Sequence, residues 1–263
     1  MATRPSPART PVVVAILATI GAAFVALPLV ALLIRAPWSE LSNELAASGA
    51  WTAFRLSIEV SLLSAGLSLL LGAPIGWVLA RARIPARSLL RAVVIMPLVL
   101  PPVVGGVALL SSLGRSGVLG RWLDSLGIQL TFTTAGAVLA TTFVSIPLVI
   151  LAVEAGLRSL DPRFEQAAAA MGASTGYALR RVTLPMIRPQ LLAGLALAWA
   201  RALGEFGATI TFAGNLAGRT QTLPLAVYQA RQTDPGAAVL TSLLLVALSL
   251  IVLVAMRDRI FAR

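Results

Sequence analysis

Six long apolar runs, separated by polar segments rich in arginine, set out the organisation of this chain. They extend from Val12 to Ile34, Thr52 to Ala80, Ala92 to Leu113, Thr134 to Leu157, Leu191 to Phe212 and Ala237 to Met256. Each is near or above the ~20 residues an α-helix needs to cross the hydrocarbon core of a bilayer. The pattern predicts an all-α polytopic membrane protein with six transmembrane helices. Arg4 and Arg9 precede the first run as they would in a signal peptide. Its apolar stretch is too long for a typical h-region, so it reads as an uncleaved anchor.

The third run is interrupted by Pro97, Pro101 and Pro102 and followed by Gly105-Gly106. Each proline removes a backbone donor, and the glycines permit close approach or bending. Carbonyls freed at membrane depth are tolerated only against protein or a water-filled cavity. Two readings stay open: a span that lines a pathway or its gate, and a kink that improves bundle packing. Pro147 in the fourth run carries the same ambiguity more weakly.

Composition adds to this mainly by exclusion. Hydrophobic residues make up 58% of the chain and mean hydropathy is +0.90, outside the range of soluble globular domains. Cysteine and histidine are absent, which excludes disulfides, cysteine-type metal sites and imidazole acid–base chemistry. The net charge of +11 comes from arginine alone, for there is no lysine.

The placement of the arginines predicts orientation. With the N-terminus inside, the inner segments hold Arg4 and Arg9; Arg81, Arg83, Arg87 and Arg91; Arg158, Arg163, Arg180, Arg181 and Arg188; and Arg257, Arg259 and Arg263. The outer segments hold Arg35, Arg55, Arg115, Arg121, Arg219 and Arg231, and Arg201 lies within the fifth run. The excess places both termini in the cytoplasm. The basic character then reports topology rather than nucleic acid binding.

The inner segment from Arg158 to Gln190 is the most informative. Asp161-Pro162 reads as a helix start, with Asp as N-cap and Pro at the first helical position. Gly172 ends the alanine-rich stretch and lets a second short helix begin. Glu165, Ala167, Ala168, Gly172, Leu184 and Pro185 resemble the "EAA" loop of ABC importer permeases, with Gln166 and Val182 as conservative departures. The resemblance implies a type I ABC importer transmembrane domain whose cytoplasmic coupling helices dock into the ATPase subunit. The bland reading is a helix linking two spans. On this basis residues 1–51 form the anchor span and first outer loop, residues 52–256 the transmembrane domain with its coupling loop at 158–190, and residues 257–263 a cytoplasmic tail.

A Walker A loop needs a lysine for the phosphates, and none exists here. This chain is therefore not expected to be an enzyme by itself: ATP and Mg would be held by a separate ATPase, and the chain itself binds no cofactor. The rival from another class is a proton-coupled secondary transporter. Such proteins bury acidic or histidine relays at mid-membrane, and the candidates are Glu59, Glu154 and Glu205, the first two toward span ends. No nucleophile–base pair or metal cluster suggests a membrane enzyme.

Met96-Pro-Leu-Val-Leu-Pro-Pro-Val-Val-Gly105 and Arg201-Ala-Leu-Gly-Glu-Phe-Gly-Ala-Thr-Ile-Thr-Phe212 resemble the corresponding segments of molybdate permeases, as do Asn215, Gly218, Thr220, Thr222-Leu-Pro224 and Tyr228. Sulfate and thiosulfate permeases share the Leu-Gly-Glu-Phe-Gly core, so that core specifies only the oxyanion branch. The resemblance covers about Thr52 to Met256. It implies an inner-membrane importer of molybdate, with tungstate alongside it and sulfate or thiosulfate as the alternative cargo. It implies as partners a second copy of the chain, two ATPase subunits, a periplasmic binding protein and membrane lipid, with no nucleic acid. The outer segments Arg35–Arg55, Gly114–Thr133 and Ala213–Gly236 are then the docking surfaces for the binding protein. Pro97, Pro101, Pro102, Arg201 and Glu205 are the candidate pathway or gate residues. Arg201 and Glu205, spaced i,i+4, also read as a buried pair that fixes packing.

Overall fold

Lipid tails are as apolar as leucine, so helices in a bilayer associate through close packing and interhelical hydrogen bonds rather than through hydrophobicity. The centre of this fold is built that way. A computed structural model describes residues 11–42 and 48–260. Its two central helices are α2 (Ser48–Arg81) and α6 (Thr134–Ser159), with α3, α4 and the short α5 (Gly120–Ser125) between them in the chain. Along α2, Ser64, Ser68, Gly72 and Gly76 recur every four residues and face α6. Ser64 donates to the Val138 carbonyl at 3.0 Å, and Ser68 meets Ser145 at 3.0 Å. A Cβ on Gly76 would lie 2.8 Å from the Ile150 carbonyl oxygen, so the two backbones approach as closely as glycine allows.

A third helix, α9 (Arg188–Leu203), completes the centre. Gly194 receives Ala152 of α6, and the Trp199 indole donates to Ser61 of α2 at 3.0 Å. Val149, Val153, Leu157, Ile187 and Ala198 form a buried cluster between α6 and α9. On the other side, α11 (Leu223–Thr233) and α12 (Pro235–Ile260) pack through Leu223, Leu248 and Val252 against Ala53 and Leu203. By contrast α1 (Val12–Arg35) buries none of its residues against the rest of the described chain.

The predicted spans are met by four unbroken helices, α1, α2, α6 and α12, each long and apolar enough to cross a membrane. The third span is not one rod. It divides into α3 (Arg87–Val99) and α4 (Pro102–Leu113), which turn through 117° at Leu100–Pro101. Helices of these lengths at that angle reach only ~20 Å end to end at 1.5 Å per residue, less than the hydrocarbon thickness. Pro101 cannot donate to the helix before it, and Pro102 occupies the first turn of α4, where a missing donor costs nothing.

The fifth span, expected as Leu191–Phe212, stops at Leu203 and resumes as α10 (Gly207–Phe212) after a break at 204–206. Two bent pairs, Arg87–Val99 with Pro102–Leu113 and Thr175–Met186 with Arg188–Leu203, each counted as one span, bring the total up to six. The helix of the sixth span continues past the expected end at Met256 to Ile260. Arg4, Arg9 and Arg263, and residues 43–47 and 261–263, lie outside the described residues.

Candidate functional site

Two places carry the chemistry anticipated from sequence. The first is the polar loop after α6. Asp161 caps α7 (Pro162–Ala170), its carboxylate accepting from the Arg163 N–H at 2.9 Å. The chain then reverses at Gly172, whose φ of +83° a side chain would strain. Ser174 caps α8 (Thr175–Met186) by accepting from the Tyr177 N–H at 3.3 Å. A π-type turn over Leu179–Thr183 widens α8 in its middle, and Leu184 and Pro185 follow in its last turn, both exposed.

Glu165, expected to act outward toward a partner, is held from within. Arg81, the last residue of α2, pairs with one carboxylate oxygen at 3.1 Å, and the Thr183 hydroxyl donates to the other at 2.8 Å. One side chain thus joins α7, α8 and the end of α2. Ala168 is buried, whereas Ala167 and Gly172 are exposed. Among exposed arginines such as Arg163, Arg180 and Arg181 the loop also presents three large apolar side chains: Met171 is 84% exposed, Tyr177 58% and Phe164 51%. Met171 and Tyr177 border a hollow of about 600 Å³ beside Gly172.

The second place is where the two broken spans meet. Pro102, at the start of α4, packs on Gly207, at the start of α10; a Cβ on Gly207 would come 2.7 Å from the Pro102 Cβ. One turn on, a Cβ on Gly106 would come 2.5 Å from the Thr211 Cβ. The glycines let α4 and α10 cross at backbone distance. Arg201 and Glu205 bracket the break itself, paired at 2.6 Å, with the Glu205 side chain 2% exposed and that of Arg201 31%. The other Glu205 oxygen accepts from the Ala208 N–H at 2.7 Å. The carboxylate therefore caps α10 and satisfies a donor that the break sets free. Phe206, inside the break, is flanked by Tyr228 of α11 with ring centroids 5.0 Å apart. The structure brings Pro101, Pro102, Arg201 and Glu205 into one region. Pro97 lies inside α3, a turn before the elbow.

Sequence reading missed the partners of Glu154. This carboxylate is buried near the end of α6 and held by Arg91 of α3 at 3.1 Å and Arg158 at 2.5 Å. The Arg158 spacing of four was a signal; Arg91, 63 residues away, gave none. Glu59 is exposed on α2, beside an apolar hollow of about 690 Å³.

The profile of the family described as "binding-protein-dependent transport system inner membrane component" matches residues 72–263. The molybdenum transport system permease protein ModB of Mycobacterium tuberculosis is 46% identical over 239 residues, covering 91% of this chain and 90% of that one. The sulfate transport system permease protein CysW of Synechocystis is 40% identical over 200 residues, covering 74% and 72%. Among solved structures, a bacterial ABC transporter involved in the import of the acidic polysaccharide alginate aligns with a TM-score of 0.71 at 20% identity, over 94% and 93% of the two chains, which establishes the fold. From the profile match and from relatives aligned along most of its length, the chain belongs to the family of inner-membrane components of binding-protein-dependent transport systems.

Proposed function

We propose that this chain is the permease subunit of an ATP-driven importer that carries molybdate across the bacterial inner membrane. In this reading two copies form the path, two copies of a separate ATPase drive it, and a periplasmic binding protein delivers the anion. The cargo assignment rests on one observation: 46% identity to a molybdenum permease spanning 91% of the chain. Tungstate, a tetrahedral dianion of the same charge, would pass by the same route. The second reading, sulfate or thiosulfate, is favoured by the 40% identity to CysW.

The work of each part follows from its contacts. ATP closing the ATPase pair would draw the two exposed loop tips together. The Arg81–Glu165–Thr183 junction would pass that movement to α2, which packs along α6 at backbone distance. Breaks stacked at Pro102 and Gly207 give two helices that can bend there without losing hydrogen bonds, as in other transporters with discontinuous spans. We assign Arg201 and Glu205 the task of holding this break beside the pathway. With both termini inside, the loop lies in the cytoplasm, where an ATPase can reach it. A proton-coupled mechanism is disfavoured because Glu154 and Glu205 are already engaged by arginines, which a proton would have to displace.

The test of cargo is ATPase stimulation of the reconstituted complex by its binding protein loaded with molybdate or with sulfate. Stimulation by the molybdate-loaded form supports the assignment, whereas stimulation by the sulfate-loaded form alone replaces it with the second reading.

A further inference from the structure

A cavity of about 710 Å³ opens along α3, on the same end of the bundle as the polar loop. Arg87, Arg91 and Arg158 gather at one end of it, and Ala92, Ile95 and Val99 form its wall. Of the acidic side chains among the described residues, the one bonded to this group is Glu154. Three guanidiniums against one carboxylate leave the cluster with a charge excess of two. Arg87 turns part of its guanidinium back to the Leu79 and Ala80 carbonyls, closing the end of α2. Arg91 and Arg158 have no such second duty. Each spends one edge on the buried Glu154 and is about half exposed, at 47% and 49% of its side-chain surface. Glu154 thus holds the two guanidiniums side by side, and both line the cavity. Arginine forks match the oxygens of a phosphate two at a time.

The apolar wall decides what kind of phosphate. From Ala92 to Val99 it extends ~10 Å along the helix at 1.5 Å per residue. A small hydrated dianion gains nothing from such a surface, whereas a phospholipid has both a charged headgroup and an acyl chain to lay along it. Basic pockets between membrane helices on the cytoplasmic side have this composition when they hold anionic lipid.

We propose that Arg91 and Arg158, with Arg87 beside them, bind the phosphate of an anionic phospholipid from the inner leaflet, its acyl chain lying on the Ala92–Val99 face of α3. The inference rests on the orientation proposed above, which cysteine labelling tests separately. Its consequence is that the elbow between α3 and α4 is seated on lipid.

The experiment uses the permease purified with its ATPase in nanodiscs of mixed phosphatidylglycerol and phosphatidylcholine. Retained lipid is counted by native mass spectrometry after controlled delipidation. One variant combines Arg91→Gln, Arg158→Gln and Glu154→Gln, so that no buried carboxylate is orphaned. The other, Ala92→Trp, keeps every charge and fills the apolar wall. Wild type should retain phosphatidylglycerol at least tenfold better than either variant, and all three should still carry the ATPase. Equal phosphatidylglycerol retention by wild type and both variants overturns the proposal. Displacement of the wild-type lipid by excess free molybdate also overturns it, and would assign the arginines to cargo.

Discussion

The break at Gly204–Phe206 predicts an asymmetry between its two charged residues. In Arg201→Met, Glu205 remains 2% exposed and keeps one donor, the Ala208 N–H. Orphaning one member of a buried pair costs ~3–5 kcal/mol. Because Arg201 is about a third open to solvent, the lower end applies, ~3 kcal/mol. In Glu205→Gln, the amide oxygen can still accept from Ala208, and the freed guanidinium can turn to water. That change loses one charge-assisted bond, ~1.5 kcal/mol net because Arg201 is partly open to solvent. The double variant strands no charge and should also cost ~1.5 kcal/mol, well below the total of the two single changes. Equilibrium unfolding of the purified chain in mixed micelles reads all three. Damage from Glu205→Gln equal to that from Arg201→Met, or a double variant as unstable as the worse single, would refute this asymmetry. The double variant also separates roles: near-normal anion uptake leaves the pair as a strut, whereas an assembled complex that hydrolyses ATP without uptake makes it part of the gate.

Three further outcomes follow from the contacts. Arg81→Gln or Glu165→Gln should lower transport per ATP hydrolysed, measured in proteoliposomes, because the loop is no longer strapped to α2; the exchange Arg81→Glu with Glu165→Arg should restore part of it, and unchanged coupling in both single variants would refute the strap. Gly207→Ala, with a new Cβ 2.7 Å from Pro102, should destabilise by ~1–3 kcal/mol. Gly204→Ala, with nothing within 4 Å, should cost less than half of that by the same thermal measurement. Ser116→Cys should react with an impermeant maleimide on intact spheroplasts and Ser174→Cys only after permeabilisation, both sites being exposed; the opposite pattern would overturn the inside placement of the loop.

Local code proved readable wherever the determinants lie within a few residues. Asp161, Pro162 and Gly172 specify the first loop helix and its end through capping and a positive φ, and the structure has them in those positions. The elbow at Pro101 was visible as a chemical interruption. Its 117° angle was not, because it depends on Gly106 and Gly207 letting α4 cross α10. The break at 204–206 was hidden inside an apolar run, since Glu205 caps α10 only once the helix has opened. Arg81 and Glu165, or Arg91 and Glu154, are far apart in sequence, and each arginine looked like an ordinary inner-side charge. The ridge of Ser64, Ser68, Gly72 and Gly76 could have been found from its spacing of four, which hydropathy averages away.

Transport here is powered by ATP on a separate chain reached through the Glu165 loop. Molybdate uptake into proteoliposomes, with and without the ATPase, ATP and a protonophore, tests it most directly. Uptake should require both ATPase and ATP and be unaffected by the protonophore. Uptake by the permease alone, driven by a proton gradient and abolished by the protonophore, would contradict it.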